Sequence, residues 1–223
     1  MRFLLLDDEK VSRFTLRQVV QTIPGATIDE AEHAVQARER LAQLTVPAVC
    51  IFDVRLPGES GLDLLAWLRC QPRYQAFPVL LYTGNDDADT RQRAASLRVE
   101  AYLTKPPGQG SAERIAAVAV RLAEDLLPDP RALAQRLGTS PARLASYIDA
   151  LEKQIAELGK VADGTDRQTV LAKCTQVAKA LGSRYLLQVL QQLQTVAPDC
   201  RAEWMAAGRL ALGGMRARLD DAA

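Results

Sequence analysis

Four short apolar runs, each followed by a polar side chain, constrain the fold of this chain more than any other feature. The runs cover residues 3–6, 49–52, 79–82 and 101–104, and the side chains that follow them are Asp7 and Asp8, Asp53, Thr83, and Lys105. Runs that are apolar throughout are typical of parallel strands covered by helices on both faces. Because the carboxyl ends of parallel strands meet at one edge of the sheet, we expect these polar side chains to converge there.

Strand and helix patterns alternate over the first 125 residues. The strands are predicted at 2–6, 26–30, 48–52, 78–82 and 101–104, and the helices at 10–22, 32–44, 61–71, 87–97 and 111–125. This alternation predicts an α/β fold with a doubly wound, five-stranded parallel sheet.

The segment 127–130, Leu-Pro-Asp-Pro, ends the alternation. After it the periodicity predicts helices at 130–137, 140–158, 166–181, 183–196 and 200–219. Long amphipathic helices joined by short links indicate an all-α bundle. We therefore predict two domains, at 1–125 and 130–223.

The polar side chains at the strand ends suggest a specific chemistry. Three carboxylates in one pocket repel each other unless a divalent cation lies among them, and hard oxygen ligands suit Mg²⁺. A hydroxyl and an ammonium group opposite that cation could hold the remaining oxygens of a phosphoryl group. The sequence therefore predicts a site that carries phosphate on a carboxylate.

Four segments carry a resemblance to a known family. LLLDDE at 4–9, IFDVRLPGESGLDLL at 51–65, VLLYTG at 79–84 and AYLTKP at 101–106 resemble the receiver domain of two-component response regulators. The resemblance implies a flavodoxin-like fold in which Asp53 accepts a phosphoryl group from a histidine kinase or phosphotransfer protein. It also implies Mg²⁺ bound by Asp8, Asp53 and the backbone carbonyl of Arg55, with Asp7 acting through water.

The same resemblance assigns roles to three further residues. Lys105 would pair with a phosphoryl oxygen, Thr83 would turn to hydrogen-bond another, and Tyr102 would be the switch aromatic that responds to Thr83. The alternative for Tyr102 is a half-buried tyrosine packed on the fourth helix. Receivers commonly have a cis bond after the lysine, here Lys105–Pro106. Residues 55 and 85 are positions that tune the lifetime of the acyl phosphate.

The C-terminal half allows two interpretations, of which the first is an interaction bundle. Residues 145–219 resemble a histidine phosphotransfer domain, whose phosphorylated histidine lies ten residues before a glycine that corresponds to Gly182. Position 172 is alanine, and Thr175 and Gln176 replace the family's lysine and glycine. The chain's single histidine is His33. The resemblance therefore implies a module that binds a protein partner, or itself, but carries no phosphate.

The second interpretation is DNA binding. Residues 132–151 fit a helix-turn-helix pattern with a small residue at Ala134, a turn at Gly138, and core positions at Leu144 and Ile148. The second helix offers only Arg143 as a base, and 126–223 holds 13 basic against 10 acidic residues, a net charge of +3. Since nucleic-acid binding normally needs a basic surface, we favour the interaction bundle.

Composition restricts the remaining possibilities. The four cysteines are scattered, which favours reduced thiols in a cytoplasm over a disulfide or metal framework. No signal-peptide core and no apolar run of about 20 residues is present, so we predict a cytoplasmic protein without a membrane span. Nothing in 126–223 combines a nucleophile, a base and a metal ligand. We therefore predict no enzymatic activity beyond the protein's own phosphorylation and dephosphorylation.

Overall fold

The computed structural model describes residues 1–84, 87–105, 111–158 and 164–220. It divides into two compact units, one formed by Met1–Leu44 and Ala48–Ala123, the other by Thr45–Pro47 and Glu124–Ala223. The predictions made for Asn85 and for the Lys105–Pro106 bond lie outside the described residues.

The first unit alternates strands and helices along the whole of its length. Its elements are β1 (Arg2–Leu6), α1 (Lys10–Gln21), β2 (Thr27–Ala31), α2 (Ala34–Gln43), β3 (Ala48–Phe52), α3 (Gly61–Cys70), β4 (Val79–Thr83), α4 (Ala88–Ser96), β5 (Ala101–Thr104) and α5 (Ser111–Leu126), of which the residues from Glu124 onward belong to the second unit. All strand pairs are parallel and the spatial order is β2-β1-β3-β4-β5. The predicted doubly wound sheet is confirmed.

The register of the sheet determines where the polar side chains emerge. Leu6, the last residue of β1, pairs with Phe52, the last residue of β3, so Asp7 and Asp53 leave the sheet side by side. A hydrogen bond of 2.8 Å from the amide of Asp53 to the carbonyl of Leu6 extends the ladder by one step. The central strands β3 and β4 are buried along their full length, as their apolar runs predict.

The second unit is helical in all of its described elements. It contains α6 (Pro130–Arg136), α7 (Pro141–Leu158), α8 (Thr165–Leu181), α9 (Arg184–Thr195) and α10 (Arg201–Asp220), with a short 3₁₀ helix at Pro198–Cys200. Helix α7 packs against α8, α8 against α9, α9 against α10, and α10 against α7, which closes a four-helix bundle. The predicted helical bundle is confirmed.

Two of the predicted helix starts are one residue early for the same reason. The predicted starts at residues 87 and 183 are Asp87 and Ser183, which lie just before α4 and α9. Each is an N-cap residue, because its side chain accepts a hydrogen bond from a backbone amide three residues later. Capping residues have extended backbone and satisfy amides that the helix leaves unpaired, so they belong outside the helix that they begin.

Candidate functional site

Three carboxylates meet at the carboxyl end of the sheet. Oxygens of Asp7, Asp8 and Asp53 all lie within 4.8 Å of one another. Asp7 is fully buried and Asp53 is 7% exposed, whereas Asp8 is exposed. Burial strengthens the repulsion between like charges because less water screens them. The cluster therefore needs positive charge nearby.

Lys105, which directly follows β5, supplies one such charge. Its ammonium nitrogen lies 2.6 Å from Oδ2 of Asp7 and 2.7 Å from Oδ2 of Asp53. Burial alone would lower the pKa of Lys105, but hydrogen bonds and ion pairs to Asp53 and Asp7 outweigh it, and the pKa is raised. Lys105 is therefore held in its charged form as a bridge between the two buried carboxylates.

Hydrogen bonds fix the orientation of both carboxylates. Oδ2 of Asp7 accepts a hydrogen bond of 2.5 Å from the hydroxyl of Ser12, and Oδ1 accepts one of 3.0 Å from the amide of Glu9. Oδ1 of Asp53 accepts a hydrogen bond of 3.1 Å from the amide of Arg55. These bonds hold the carboxylates of Asp7 and Asp53 in place beside that of Asp8.

The donor set of the cluster fits a divalent cation. Three carboxylates balanced by one ammonium group leave a local charge of about −2, which a divalent cation would neutralise. Carboxylate oxygens are hard ligands, the type that Mg²⁺ prefers. The described residues can therefore hold a metal ion at this edge of the sheet.

Thr83 and Tyr102 lie on the neighbouring strands. Thr83 ends β4 and is buried, and its carbonyl accepts a hydrogen bond of 2.9 Å from the amide of Lys105. Tyr102 lies on β5, is half-buried, and has the guanidinium of Arg91 4.7 Å from the centre of its ring. The ring of Tyr102 therefore contacts α4. The acidic cluster itself is formed by Asp7, Asp8, Asp53 and Lys105.

Three residues that support the cluster were missed in the sequence. Ser12 binds Asp7, and the buried Arg13 donates a hydrogen bond of 2.7 Å to the carbonyl of Asp7. Gly61 lies so close to Asp53 that an added Cβ would be 1.9 Å from the carbonyl oxygen of Asp53. The helical periodicity of α1 would have placed Ser12 and Arg13 on its inner side, with the buried Leu16, Val19 and Val20. No sequence signal could reveal the close approach at Gly61.

A cavity of about 420 Å³ opens beside Lys105. Its walls include Ser12, Tyr82, Gly84 and Lys105. The ammonium nitrogen of Lys105 lies 5.5 Å from the centre of the Tyr82 ring. The lysine therefore borders both the acidic cluster and a space large enough for a ligand group.

Comparison with known proteins identifies this arrangement. A family model described as the response regulator receiver domain matches residues 3–116, which is more than half of the chain. The chain belongs to this family. Receiver domains are phosphoacceptor regulators whose phosphoryl group comes from a histidine kinase, so residues 3–116 are a receiver domain of the two-component type.

Several curated proteins are similar in sequence. Response regulator protein PilR of Pseudomonas aeruginosa is 31% identical over 160 residues, which cover 70% of this chain and 33% of PilR. The alginate biosynthesis transcriptional regulatory protein AlgB of Pseudomonas putida is 30% identical over 182 residues, or 79% of this chain and 35% of AlgB. Chemotaxis protein CheY1 of Helicobacter pylori is 28% identical over 106 residues, or 48% of this chain and 86% of CheY1.

The chain spans about a third of the length of PilR and AlgB. Among the described helices, none is long and apolar enough to cross a membrane.

Proposed function

We propose that this response regulator accepts a phosphoryl group on Asp53 in the presence of Mg²⁺ and signals by protein binding through its helical unit. One observation carries the proposal: the single ammonium group of Lys105 bridges the buried carboxylates of Asp7 and Asp53. This contact joins the ends of β1, β3 and β5 in one charged centre that can bind either a cation or a phosphoryl group.

In the proposed reaction, a carboxylate oxygen of Asp53 attacks the phosphorus of a phosphohistidine on the donor. A P–O bond forms, the P–N bond breaks, and the histidine nitrogen keeps the electron pair. Such transfers depend mainly on positioning and on neutralisation of charge. Mg²⁺, held by Asp8, Asp53 and the carbonyl of Arg55 with Asp7 acting through water, would supply part of that neutralisation.

Residues of the chain itself would supply the rest of the charge neutralisation. Lys105 would exchange its bond with Asp53 for one with a phosphoryl oxygen while it keeps Asp7, and the cavity beside it gives the new group space. Thr83 would hydrogen-bond another phosphoryl oxygen. Tyr102 would then change its rotamer, and its contact with Arg91 would carry the change to α4.

The output would be a binding event of the bundle. Gly182 has a left-handed backbone with φ of 71° and ends α8, and Ser183 caps α9, which matches the helix–glycine–helix pattern of phosphotransfer domains. Ala172 is exposed on α8, where that family has its histidine, and His33 is the N-cap residue of α2. The bundle would therefore bind a partner protein, or a second copy of itself, without relaying phosphate.

Labelling with a small-molecule acyl phosphate tests the phosphoacceptor. Wild-type protein should gain one phosphoryl group when Mg²⁺ is present, as measured by intact mass, and should gain none with a chelator. Asp53→Ala should abolish the labelling. Asp166→Ala is the matched control, because Asp166 is an exposed aspartate in the first turn of α8. If Asp53→Ala were labelled to the same extent as the wild type, Asp53 would not be the phosphoacceptor.

Transcriptional regulation is the second candidate function. It is favoured by the similarity to AlgB, whose name describes a transcriptional regulatory protein and whose alignment covers 79% of this chain. The helix-turn-helix pattern at 132–151 spans α6 and the first part of α7, and its core positions Leu144 and Ile148 are buried.

Fluorescence anisotropy with mixed-sequence duplex DNA separates the two candidates. A DNA-binding protein should bind at low salt, and its affinity should fall steeply as the salt concentration rises. We expect no binding even at low salt. Tight binding with a steep salt dependence would instead establish transcriptional regulation and make 132–151 the DNA-contacting segment.

A further inference from the structure

The side chain of Tyr82 lies beside the acidic cluster but has no part in the reaction proposed above. Tyr82 is on β4, is only 2% exposed, and forms part of the wall of the cavity of about 420 Å³ beside Lys105. The ammonium nitrogen of Lys105 lies 5.5 Å from the centre of the Tyr82 ring. This distance is within the range of a cation–π contact, in which the face of an aromatic ring attracts a positive charge.

Tyr82 and Thr83 leave β4 on opposite faces of the sheet. They are consecutive residues, and successive side chains of a strand point to opposite faces. Tyr82 shares the cavity wall with Val11, Ser12 and Thr15 of α1, so its ring lies on the α1 side of the sheet. The two residues can therefore act on different groups, Thr83 on a phosphoryl oxygen and Tyr82 on the lysine.

Lys105 needs a contact that persists through the reaction. Its amide donates a hydrogen bond to the carbonyl of Thr83, but its ammonium group is at the end of a flexible four-carbon stem. The ammonium donates to Asp7 and Asp53, and the bond to Asp53 is the one that would be exchanged for a phosphoryl oxygen. Asp7 and the ring of Tyr82 are the contacts that would hold the ammonium during this exchange.

Burial makes the ring an effective partner for the ammonium. The side chain of Lys105 is largely buried, and a cation–π contact is stronger where water is excluded. Burial also raises the pKa of Tyr82, although the charge of Lys105 lowers it, so the ring is a neutral phenol at neutral pH. Tyr82 therefore attracts the ammonium without adding a negative charge to a cluster of three carboxylates.

We propose that Tyr82 is a positioning residue for Lys105, and that its ring keeps the ammonium beside Asp7 and Asp53 before phosphoryl transfer and beside the phosphoryl group afterwards. This inference rests on the proposed function of Asp53. Because the ring is the part that acts, Tyr82→Phe should preserve the role. Tyr82→Leu, which leaves an apolar side chain without a ring, should remove it.

Nuclear magnetic resonance of the unphosphorylated full-length chain tests the contact directly. Lysine is labelled with ¹³C, and the signal of Lys105 is identified by its loss in Lys105→Arg. Protons over the face of an aromatic ring are shifted upfield, so we expect the Hε signal of Lys105 to lie upfield of the other lysines. It should stay there in Tyr82→Phe and move to the range of the other lysines in Tyr82→Leu. An unshifted signal in the wild type, or an unchanged signal in Tyr82→Leu, would overturn the proposal.

The rate of acyl-phosphate labelling of Asp53 tests the consequence for the reaction. With Mg²⁺ present, Tyr82→Leu should be labelled about fivefold or more slowly than the wild type, because a desolvated cation–π contact is lost. Tyr82→Phe, which keeps that contact, should retain the wild-type rate to within about twofold. Tyr82→Met is a second variant without the ring, for use if circular dichroism shows that Tyr82→Leu is unfolded.

Tyr74→Leu is the matched control. Tyr74 is another buried tyrosine of the sheet unit, but its ring packs against Trp67 and Phe77. Its loss should lower stability and leave both the Lys105 signal and the labelling rate as in the wild type.

Three rate measurements would overturn the proposal: wild-type labelling of Tyr82→Leu, equal slowing of Tyr82→Phe and Tyr82→Leu, or equal slowing of Tyr74→Leu and Tyr82→Leu. Failure of the proposed function would look different, because the wild type itself would not be labelled at Asp53. The Lys105 signal would still show whether the ring of Tyr82 holds the ammonium.

Discussion

The two units use their polar residues in different ways. In the sheet unit, Asp7 and Lys105 are distant in sequence, yet they form a largely buried ion pair of 2.6 Å at the sheet edge. In the bundle, the buried faces of the helices are mainly aliphatic, and a polar residue such as Ser183 serves as a helix cap. A parallel sheet fixes where strand ends meet, so its sequence reveals chemistry. An amphipathic helix reveals which face is buried but not which ligand it contacts.

The largest expected effect on stability is that of Gly61→Ala in the sheet unit, which we compare with Gly213→Ala in the bundle. Gly61→Ala places a Cβ 1.9 Å from the carbonyl oxygen of Asp53, so the backbone must shift, and we expect a loss of about 3 kcal/mol in the free energy of unfolding. Gly213→Ala adds a Cβ with nothing within 4 Å in the middle of α10 and should gain about 0.5–1 kcal/mol.

The two tryptophans, Trp67 and Trp204, make this comparison measurable. Each unit contains one of them, so the variants Trp67→Phe and Trp204→Phe give denaturant unfolding curves that report on one unit at a time. If Gly61→Ala unfolded at the same urea concentration as the protein without this substitution, the predicted difference between the two glycines would be wrong.

A second prediction compares a buried with an exposed ion pair. Lys105→Met leaves the fully buried carboxylate of Asp7 without its cation, and we expect a loss of about 2–3 kcal/mol in the free energy of unfolding. Added Mg²⁺ should recover part of the loss, because it also neutralises the cluster.

Arg93→Met is the control for this pair. Arg93 and its partner Asp63 are both about half exposed, so Arg93→Met should lower the free energy of unfolding by less than about 1 kcal/mol. An equal loss in both variants, or no response of Lys105→Met to Mg²⁺, would show that the acidic cluster does not depend on the bridging lysine.

The same contrast explains what the sequence could predict. Asp7, Asp53 and Lys105 were predictable because each follows an apolar run, and the topology of a parallel sheet brings such positions together. Ser12 and Arg13 lie on the inner side that helix phase predicts for α1, but their bonds to Asp7 depend on how α1 packs against the sheet, which periodicity does not specify. In the bundle, periodicity predicted the buried faces of the helices, but the contact of Arg167 with the carbonyl of Leu193 depends on helix packing that periodicity alone does not specify.

A third prediction compares the capping serines of the two units. The hydroxyl of Ser183 accepts a hydrogen bond of 3.2 Å from the amide of Leu186 and donates one of 3.1 Å to the carbonyl of Leu126, and it is fully buried. Ser60 accepts one of 3.0 Å from the amide of Leu62 and is partly exposed.

Ser183→Ala leaves the buried carbonyl of Leu126 without the hydroxyl donor, so it should lower the free energy of unfolding by about 2 kcal/mol. Ser60→Ala should lower it by about 1 kcal/mol. Urea unfolding followed by the tryptophan of each unit measures both. A larger loss for Ser60→Ala would contradict the role of the second hydrogen bond.

The last comparison is a pH dependence at alkaline pH. Burial raises the pKa of the Cys50 thiol on β3 to about 12 and that of Cys174 on α8 to about 11, from an ordinary value of 9.0. The unfolded chain therefore loses these protons first, so the free energy of unfolding falls as the pH rises above 9. The fall due to Cys50 continues toward pH 12, whereas that due to Cys174 ends near pH 11.

Cys50→Ala and Cys174→Ala should each flatten this dependence, Cys50→Ala in the sheet unit and Cys174→Ala in the bundle. Unfolding curves from pH 8 to 10.5, followed by Trp67 and Trp204, measure the two slopes separately. Cys70→Ala, which removes an exposed thiol, controls for the loss of a thiol as such. The other groups that titrate in this range are present in every variant, so the difference between slopes isolates the buried thiol. If Cys50→Ala and Cys70→Ala gave the same slope, burial of Cys50 would not be the cause of the pH dependence.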